Sequence, residues 1–475
     1  MKLSPDVSAM SAAAANPWTF AARLDRLPVL PAHIVWIIIL AVNLGLEYYD
    51  NALFAYVMPA IADGTGLTLP QLGAVSSAFF VGMVLGAIGG GRLADRFGRR
   101  PVLVWATALY SAGALVTALS SDFSVMMTSR FVTGLGVQAA TSVLMVYVTE
   151  MFPSKVRGRF VSMMTFGFVL IAPTVAFVAM VVIPNGGPDT WRHLFMIGSV
   201  GLVIAALVRA ILPESVRWQL STGRTADAEA TVTRLEEVAR KRGRTLSEPE
   251  SVLDSGVADG KGSLRSVLAD RKVLRAIAIV SIGYFGTTLG YYLFANWGLY
   301  ALVNGLGYDE EKAYSVQFIW NIVYCATPVI AILLIDRMER KTLILATSIV
   351  SAVPLVLLGV STNSWFVTAS GGVAAITTGL VFTAFYVYGP ESVPTHGRGL
   401  GSGIIMSVGR AGGAVSGVLG ASLFGHGGIG GVMIAAAVCY ILFSAFVFGL
   451  GPRTANRSLE QLSVDQQSVE RTDAS

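Results

Sequence analysis

Charged residues are scarce in this chain of 475 residues: Asp, Glu, Lys and Arg together make up 13% of it, whereas 54% is hydrophobic. This composition is too apolar for a soluble domain, so we expect the chain to lie in a lipid bilayer. Lys and Arg exceed Asp and Glu by five, but they lie in short loops and in one linker. The excess therefore indicates membrane topology and not nucleic acid binding.

Cysteine and histidine are also rare, with two and four residues. Cys325 and Cys439 both fall inside apolar runs, so the sequence predicts no disulfide framework. The histidines do not form a proton relay or a metal-ligand pattern, and we expect neither a metal nor a cofactor. No set of nucleophile and base is visible either, which argues against a polytopic membrane enzyme.

Two charged motifs occur twice at one common displacement. The first is Gly91–Arg100, GRLADRFGRR, whose Asp95 lies 241 positions before Asp336 in the sequence DRMERK. The second motif places Glu150 and Glu391 at the same displacement of 241 positions. Two unrelated motifs in the same register indicate that the chain is a duplicated unit of roughly 240 residues.

Apolar runs of roughly 20 residues, each long enough to cross a bilayer of about 30 Å, lie on both sides of a polar linker. Six runs precede the linker and six follow it. The sequence therefore predicts an all-α membrane protein with twelve transmembrane helices in two pseudo-symmetric six-helix bundles. The predicted units are an N-terminal segment at 1–32, a first bundle at 33–212, a linker at 213–272, a second bundle at 273–451 and a tail at 452–475.

The basic residues lie predominantly on one side of the predicted bundles. They concentrate in loops at 91–100, 153–159 and 336–341 and in the linker, whereas the loops of the other side hold only Arg192 and Lys312. Basic loops stay in the cytoplasm. With an even number of spans, we expect both termini to be cytoplasmic in a multi-pass protein of the cell membrane.

The decapeptide Gly91–Arg100 resembles the signature loop of the major facilitator superfamily. Pro213–Trp218, with the sequence PESVRW, and Tyr388–Arg398 resemble motifs of its sugar-porter-like branch. That branch includes aromatic acid:proton, nicotinate-type and metabolite:proton symporters. The resemblance implies the major facilitator fold, with a substrate site between two halves that alternate in access. The second half departs from the pattern at Glu339, where the first half has Gly98.

Two oppositely charged residues are expected at similar depth in the membrane, where a charge is costly and marks a functional site. Asp50 lies 16 residues beyond Ile34, about 24 Å into the first span. Arg130 lies about 9 Å from the outer edge of a span that runs the other way. These depths allow an ion pair, which a proton on the carboxylate would release.

Related sugar porters couple protons through an acid of the first helix and an Arg of the fourth. By this resemblance, Asp50 and Arg130 are predicted to couple protons, and the alternative is a static structural pair. Glu47 lies about one helical turn from Asp50, and the sequence EYYD is similar to the E-W-Y-D stretch of metabolite:proton symporters. Which of the two acids titrates stays open, with Asp50 favoured.

Arg410 is a further charge at membrane depth. It lies 12 residues beyond Arg398 in the eleventh span, about 18 Å deep and near the midplane. Its planar guanidinium suits a carboxylate, which predicts a clamp on an anionic substrate. The alternative is that Arg410 pairs with an internal acid or with a helix end.

Aromatic and hydrogen-bonding side chains in the predicted spans are candidates for substrate contacts. The paired Gln motif of sugar porters is missing from the seventh span, which favours a substrate other than a sugar. Buried aromatics more often pack than bind ligands, so packing is the alternative at each position. The candidates are Tyr49, Gln138, Tyr284, Tyr291, Tyr292, Asn296, Trp297, Asn321, Phe382 and Tyr386.

Charges of both signs gather at the helix ends of the basic side. A salt-bridge network there would hold that side shut while the substrate site opens to the other side, and helix caps or topology signals are the alternative. The predicted gate residues are Asp95, Arg99, Arg100, Glu150, Arg157, Asp336, Arg340, Glu391 and Arg398.

Taken with the resemblance, these features predict a monomeric proton-coupled symporter of a small organic acid, aromatic or otherwise carboxylic. Its predicted partners are the acid, protons and the lipid bilayer. The rival functions are a sugar or polyol proton symporter, a drug/proton antiporter and a receptor with a transporter fold.

Overall fold

The computed structural model describes residues 17–248, 270–335, 337–393, 398–452 and 454, and the regular structure within these ranges is helical. A short helix, α1 (Pro17–Asp25), precedes the first bundle. The sixth span of that bundle is divided into two helices. The spans of the first bundle are α2 (Pro31–Thr65), α3 (Leu69–Phe97), α4 (Arg99–Leu119), α5 (Phe123–Met151), α6 (Ser154–Val182) and the pair α7 (Trp191–Ser199) and α8 (Gly201–Ile211).

The linker and the second bundle are also built from helices. The linker holds two helices, α9 (Val216–Ser221) and α10 (Thr225–Lys241). The seventh span ends in a π-helical turn, Ala301–Gly305, and the eighth is broken before Pro328. The spans of the second bundle are α11 (Arg271–Tyr300), α12 (Glu310–Tyr324) with α13 (Thr327–Ile335), α14 (Arg340–Val360), α15 (Ser364–Glu391) and α16 (Arg398–Leu450).

The last helix, α16, is two transmembrane spans joined end to end. At 1.5 Å per residue its 53 residues extend about 80 Å, more than twice the thickness of the hydrocarbon. The chain leaves the helical conformation at Gly428, with φ 55° and ψ −148°, a region that glycine enters readily. The eleven helices long enough to span a membrane in the described ranges therefore make twelve spans. The predicted all-α fold of twelve transmembrane helices is confirmed.

The duplication is visible in matching contacts of the two halves. Arg99 forms a bidentate pair with Glu150, with nitrogen–oxygen distances of 2.9 and 3.0 Å. At the positions 241 residues later, Arg340 pairs with Glu391 at 3.1 and 3.3 Å. Each Arg also donates to the carbonyl five residues before it. The sequence repeat is therefore a repeat of three-dimensional contacts.

The departure at Glu339 is compensated in the structure. In the first half Gly98 has a φ of 103° and leaves room for the carboxylate of Glu214, which accepts from the backbone of Arg99. In the second half Glu339 replaces the glycine, and its own carboxylate accepts from the backbone N–H of Thr454 at 2.9 Å. Both halves thus keep a carboxylate at this turn, although it comes from different positions of the repeat.

Helix α1 packs on the linker helix α10 through an ion cluster. Arg23 and Arg26 both bind the buried Glu236, at 3.0 and 2.5 Å, and Arg23 also contacts Glu229 at 2.8 Å. Burial opposes the charge of Glu236, but hydrogen bonds and charges from both arginines outweigh it and lower the pKa of Glu236. The hydrogen bond with Glu236 likewise raises the pKa of Arg23. The predicted N-terminal segment is therefore tied to the linker.

We expect Glu236→Gln to loosen α1, because a lost hydrogen bond to a charged group costs about 1.5–3 kcal/mol, roughly tenfold or more in opening. Hydrogen–deuterium exchange of residues 17–25 measures this opening. The lowered pKa of Glu236 means that the contact contributes fully above the ordinary value of about 4.3 and is lost as the pH falls through the lowered value. The exposed neighbour Glu237, changed to Gln, is the control. Equal exchange in both variants would contradict the role of the cluster.

Candidate substrate and proton sites

The two halves interlock on one side of the molecule. We call the side with residues 95–100, 150–157 and 337–341 the basic face, and the other side the opposite face. Near the opposite face, Tyr56 of the first half donates its hydroxyl to Asn321 of the second at 2.9 Å. Tyr314 donates to the backbone carbonyl of Tyr56 at 2.7 Å. These hydrogen bonds cross from one bundle to the other.

Close helix packing reinforces the contact between the halves. A Cβ on Gly73 of α3 would lie 2.6 Å from the carbonyl oxygen of Gly417 in α16, so only glycine permits this approach. One turn further along α3, Ser77 accepts a hydrogen bond from the backbone of Val418 at 3.0 Å. The opposite face is therefore closed in this conformation.

At the basic face, the predicted gate residues pair within their own half. Arg99 contacts Asp95 at 3.0 Å in addition to Glu150, and the backbone of Arg100 binds Glu214. Arg157 lies 3.9 Å from Asp25 of the N-terminal segment, and Arg340 binds Glu391. Asp336 and the side chain of Arg398 fall outside the described residues. In the described part of the basic face, the ion pairs of the other gate residues do not connect one bundle to the other. The gate between the two halves therefore remains a prediction.

Asp50 and Arg130 form a fully buried ion pair. The Arg130 Nη1 lies 2.7 Å from Asp50 Oδ2, and Nη2 donates to the Asp50 carbonyl at 3.3 Å. The rings of Phe54, Phe79 and Phe195 surround the guanidinium, with Phe79 nearest at 4.4 Å. In this apolar cage the two charges depend on each other, because either one alone would be buried without a partner.

Asp50 uses one of its carboxylate oxygens for Arg130. The other, Oδ1, has no hydrogen-bond partner in the described part of the chain. It faces Gly198 near the break between α7 and α8, where a Cβ would lie 3.6 Å away. A proton on Oδ1 would weaken the attraction to Arg130 without displacing an existing hydrogen bond.

Glu47 is also buried, but its partners are uncharged. Asn43 donates to Oε1 at 2.8 Å and Thr141 donates to Oε2 at 2.5 Å. The Asn43 Oδ1 in turn accepts from Thr107 at 3.2 Å and from Tyr110 at 2.9 Å. Glu47 and Asp50 therefore lie in the same helix in two different environments, one a neutral hydrogen-bond network and the other an ion pair.

Arg410 lies among tyrosine hydroxyls contributed by three helices. Tyr292 is its hydrogen-bonding neighbour, and Tyr284, Tyr386 and Tyr48 are close enough to act on its charge. The ion pairs found in the described ranges do not include Arg410. The groups that act on its guanidinium are therefore four tyrosine side chains. We call these five residues the arginine–tyrosine cluster.

The glycines beside Arg410 pack helices together and do not leave space for a ligand. A Cβ on Gly409 would meet the ring of Tyr284 at 2.4 Å, and one on Gly413 would meet Phe80 at 2.6 Å. The carbonyl of Gly409 also accepts a hydrogen bond from Thr288 at 2.7 Å. These contacts hold α16 against α11 and α3, and so they fix the position of Arg410.

The rings of the second bundle extend the cluster. Phe382 contacts Tyr284, Tyr291 and Tyr386, with ring centroids 5.3 to 6.2 Å apart. Tyr386 is 56% exposed, although it lies within a span. The predicted substrate residues Tyr284, Tyr291, Tyr292, Phe382 and Tyr386 are thus contiguous with Arg410, and the ring of Phe80 of the first half packs against that of Tyr292 in a tilted arrangement, with centroids 4.5 Å apart.

The remaining predicted substrate residues pack helices together or lie outside the arginine–tyrosine cluster. Trp297 is fully buried and donates to the Ser416 carbonyl at 3.2 Å, so it packs α11 on α16. Tyr49 donates to the carbonyl of Leu194 at 2.9 Å, within the first bundle. Asn321 belongs to the contact between the halves. Gln138 and Asn296 each have one buried polar atom without a hydrogen-bond partner among the described residues.

Sequence reasoning missed Tyr48, which lies beside Arg410, and selected its neighbour Tyr49. Successive residues of a helix differ in direction by about 100°. Apolar residues lie all around α2, so the sequence did not show which of its faces is turned toward Arg410. Tyr56, Tyr314 and Thr141 were missed as well. They carry no charge in the spans, and their roles depend on partners that are distant in sequence.

A family model described as "Sugar (and other) transporter" matches residues 41–465. The niacin transporter NiaP of Acinetobacter baylyi is 24% identical to the chain, with 93% of this chain and 99% of that protein covered. The arabinose-proton symporter of Bacillus subtilis is 29% identical, with 92% and 97% covered. The inward open structure of the xylose transporter XylE from E. coli has a TM-score of 0.67 at 19% identity, covering 91% of this chain and 99% of that one.

Removal of the Tyr56 hydroxyl is predicted to loosen the opposite face, because Tyr56→Phe loses the hydrogen bond to Asn321. A neutral hydrogen bond contributes about 1 kcal/mol, so the open population should rise roughly fivefold. Labelling of a single cysteine introduced at Ser77, with a membrane-impermeant reagent added on that side, measures it. Tyr147→Phe removes a hydroxyl that donates to the carbonyl of Pro213, at the start of the linker, and should leave labelling unchanged. Equal rates for Tyr56→Phe and the parent protein would contradict the closure described here.

Proposed function

Because the chain belongs to the sugar (and other) transporter family of the major facilitator superfamily, we propose that it takes up a small organic acid together with protons. The protein is a multi-pass transporter of the plasma membrane and not an enzyme. The observation that carries the proposal is Arg410, a cation within a span whose neighbours are four tyrosines. A substrate carboxylate supplies the anion that these neutral groups do not.

The chemistry of the cluster supports an aromatic acid. A guanidinium binds a carboxylate through two parallel hydrogen bonds, and the tyrosine hydroxyls are further donors. The ring of Phe382 packs against Tyr284 and the ring of Phe80 against Tyr292, so aromatic rings adjoin the tyrosines of the same cluster. Niacin, the substrate named for one relative, is itself an aromatic carboxylic acid.

The Asp50–Arg130 pair supports coupling to protons. A proton on Asp50 cancels the charge that holds Arg130, and the guanidinium is then left in a cage of phenylalanines. Because an unpaired charge there is costly, protonation favours a rearrangement of α5 against α2. Proton binding and the change of access are thereby linked through one contact.

The charge distribution supports a cytoplasmic location of the basic face, the linker and both termini. On that basis the described conformation is inward-facing, since the opposite face is the closed one. The charged pairs Arg99–Glu150 and Arg340–Glu391 then lie at the mouth of the open side, where we propose that they stabilise closure in the outward-facing state.

A sugar or polyol proton symporter is the second candidate. The arabinose-proton symporter among the relatives favours it, and tyrosine hydroxyls also bind sugars. An uncharged substrate, however, would leave Arg410 without an anion at the moment of binding. Whether the protein binds a charged or an uncharged substrate therefore distinguishes the two candidate functions.

Uptake into proteoliposomes tests the proposal. Purified protein is supplied with labelled benzoate, nicotinate or arabinose, with and without an inward proton gradient. We expect accumulation of an acid above equilibrium, driven by the gradient and abolished by a protonophore. Liposomes without protein control for passive entry of the neutral acid. Accumulation of arabinose alone would establish the second candidate in place of the first.

Asp50→Asn is predicted to abolish accumulation while retaining exchange of substrate across the membrane, because a neutral amide neither binds nor releases a proton. Gradient-driven uptake should fall at least tenfold, and counterflow of labelled acid should persist. Asp63→Asn, at the exposed end of the same helix, is the matched control. Undiminished accumulation in Asp50→Asn would remove this residue from the coupling step and leave Glu47 as the candidate.

A further inference from the structure

We propose that Glu47 is a second proton-carrying group and that Thr141 is the positioning residue that serves both of its protonation states. This inference rests on the proton coupling proposed above. Thr141 lies in α5, the helix that also carries Arg130, and Glu47 lies in α2 with Asp50. A change at Glu47 therefore acts on the same pair of helices as the Asp50–Arg130 contact.

The Thr141 hydroxyl lies within hydrogen-bond distance of two acceptors. Its Oγ1 is 2.5 Å from Glu47 Oε2 and 2.9 Å from the carbonyl oxygen of Val137, one turn earlier in the same helix. A hydroxyl has a single proton to donate. Thr141 can therefore satisfy only one of these acceptors at a time, and the charge on Glu47 decides which one.

With Glu47 ionised, the hydroxyl proton points to Oε2 and the carboxylate accepts from Thr141 and Asn43. When a proton bonds to Oε2, Glu47 becomes the donor in the same contact. The Thr141 oxygen then accepts, and its proton turns to the Val137 carbonyl, a common bond for threonine in helices. No covalent bond other than that of the added proton forms or breaks, and every polar atom of the pair keeps a partner in both states.

Asn43 holds the other side of Glu47 fixed. Its Oδ1 accepts from Thr107 and Tyr110, which directs its amide N–H₂ toward Glu47 Oε1. Oε1 thus keeps the same donor whatever the charge, and the proton is directed to Oε2. Asp50 differs in this respect, because its neutral form leaves a buried guanidinium without its anion.

Other titratable groups that face Glu47 come from several helices. Tyr48 on α2 and Tyr110 on α4 are near enough to feel its charge. Asp50 lies about one helical turn away on α2 and pairs with Arg130 of α5, and Arg410 of α16 acts on Tyr48. Among these groups, hydrogen bonds connect Glu47 through Asn43 to Tyr110, and Tyr48, a member of the arginine–tyrosine cluster, is the group that both Glu47 and Arg410 act on.

The test compares the pH profile of substrate exchange in Thr141→Val, Thr141→Ser and the parent protein. Valine keeps the shape but removes a donor that favours the charged carboxylate more than the neutral acid, so the midpoint should move to higher pH by about one unit. Serine keeps the hydroxyl and should restore the parent midpoint. Thr133→Val is the matched control, since the Thr133 hydroxyl donates only to its own helix, to the Ser129 carbonyl.

Infrared difference spectroscopy of the purified protein gives a readout that does not need transport. A protonated-carboxyl band should appear as the pH falls, vanish in Glu47→Gln and shift in Thr141→Val. An unshifted midpoint and band in Thr141→Val, or equal shifts in Thr133→Val, would overturn the inference. Absence of gradient-driven uptake by the parent protein would instead overturn the proposed function, even with the Glu47 band present.

Discussion

The cost of placing a charge in hydrocarbon explains most of what is distinctive in this protein. Four side chains of the Asp, Glu and Arg types lie deep in the described spans, and they are accommodated in three different ways. Asp50 and Arg130 neutralise each other in an aromatic cage. Glu47 is held by neutral donors. Arg410 has tyrosine neighbours and forms no ion pair within the described residues. For this reason we propose a substrate that carries a carboxylate.

The duplication provides the framework in which these charges act. Equivalent pairs at Arg99–Glu150 and Arg340–Glu391 stabilise the same turn in each half. The four deep charges are not duplicated: three lie in the first bundle and Arg410 lies in the second. Proton chemistry is thus proposed for one half and carboxylate recognition for the other, with Tyr48 and Phe80 of the first half contacting the surroundings of Arg410. Under this proposal, rocking of one half against the other changes both sites together.

Much of this arrangement was predictable from the sequence because charges in spans are rare and depth follows from residue count. Counting residues brought Asp50 to the level of Arg130, and their ion pair is present at 2.7 Å. The rotational phase of α2 was not predictable, so Tyr49 was selected where Tyr48 faces Arg410. The sequence also did not show that Trp297, a predicted substrate residue, donates to the Ser416 carbonyl and packs two helices together; its contact with substrate stays a prediction. Uncharged contacts such as Tyr56–Asn321 leave no pattern in the sequence, since they join residues 265 positions apart.

The proposed role of Arg410 is tested most directly by comparing the binding of an aromatic acid and of its amide to the parent protein and to Arg410→Ala. The two ligands have nearly the same shape and differ in charge, and truncating one partner of a buried charge pair costs about 2–5 kcal/mol, at least tenfold in affinity. We predict that the parent protein binds the acid at least tenfold more tightly than the amide and that Arg410→Ala removes this preference. If Arg410→Ala weakened both ligands by the same factor, Arg410 would be a structural residue and the carboxylate would be recognised elsewhere.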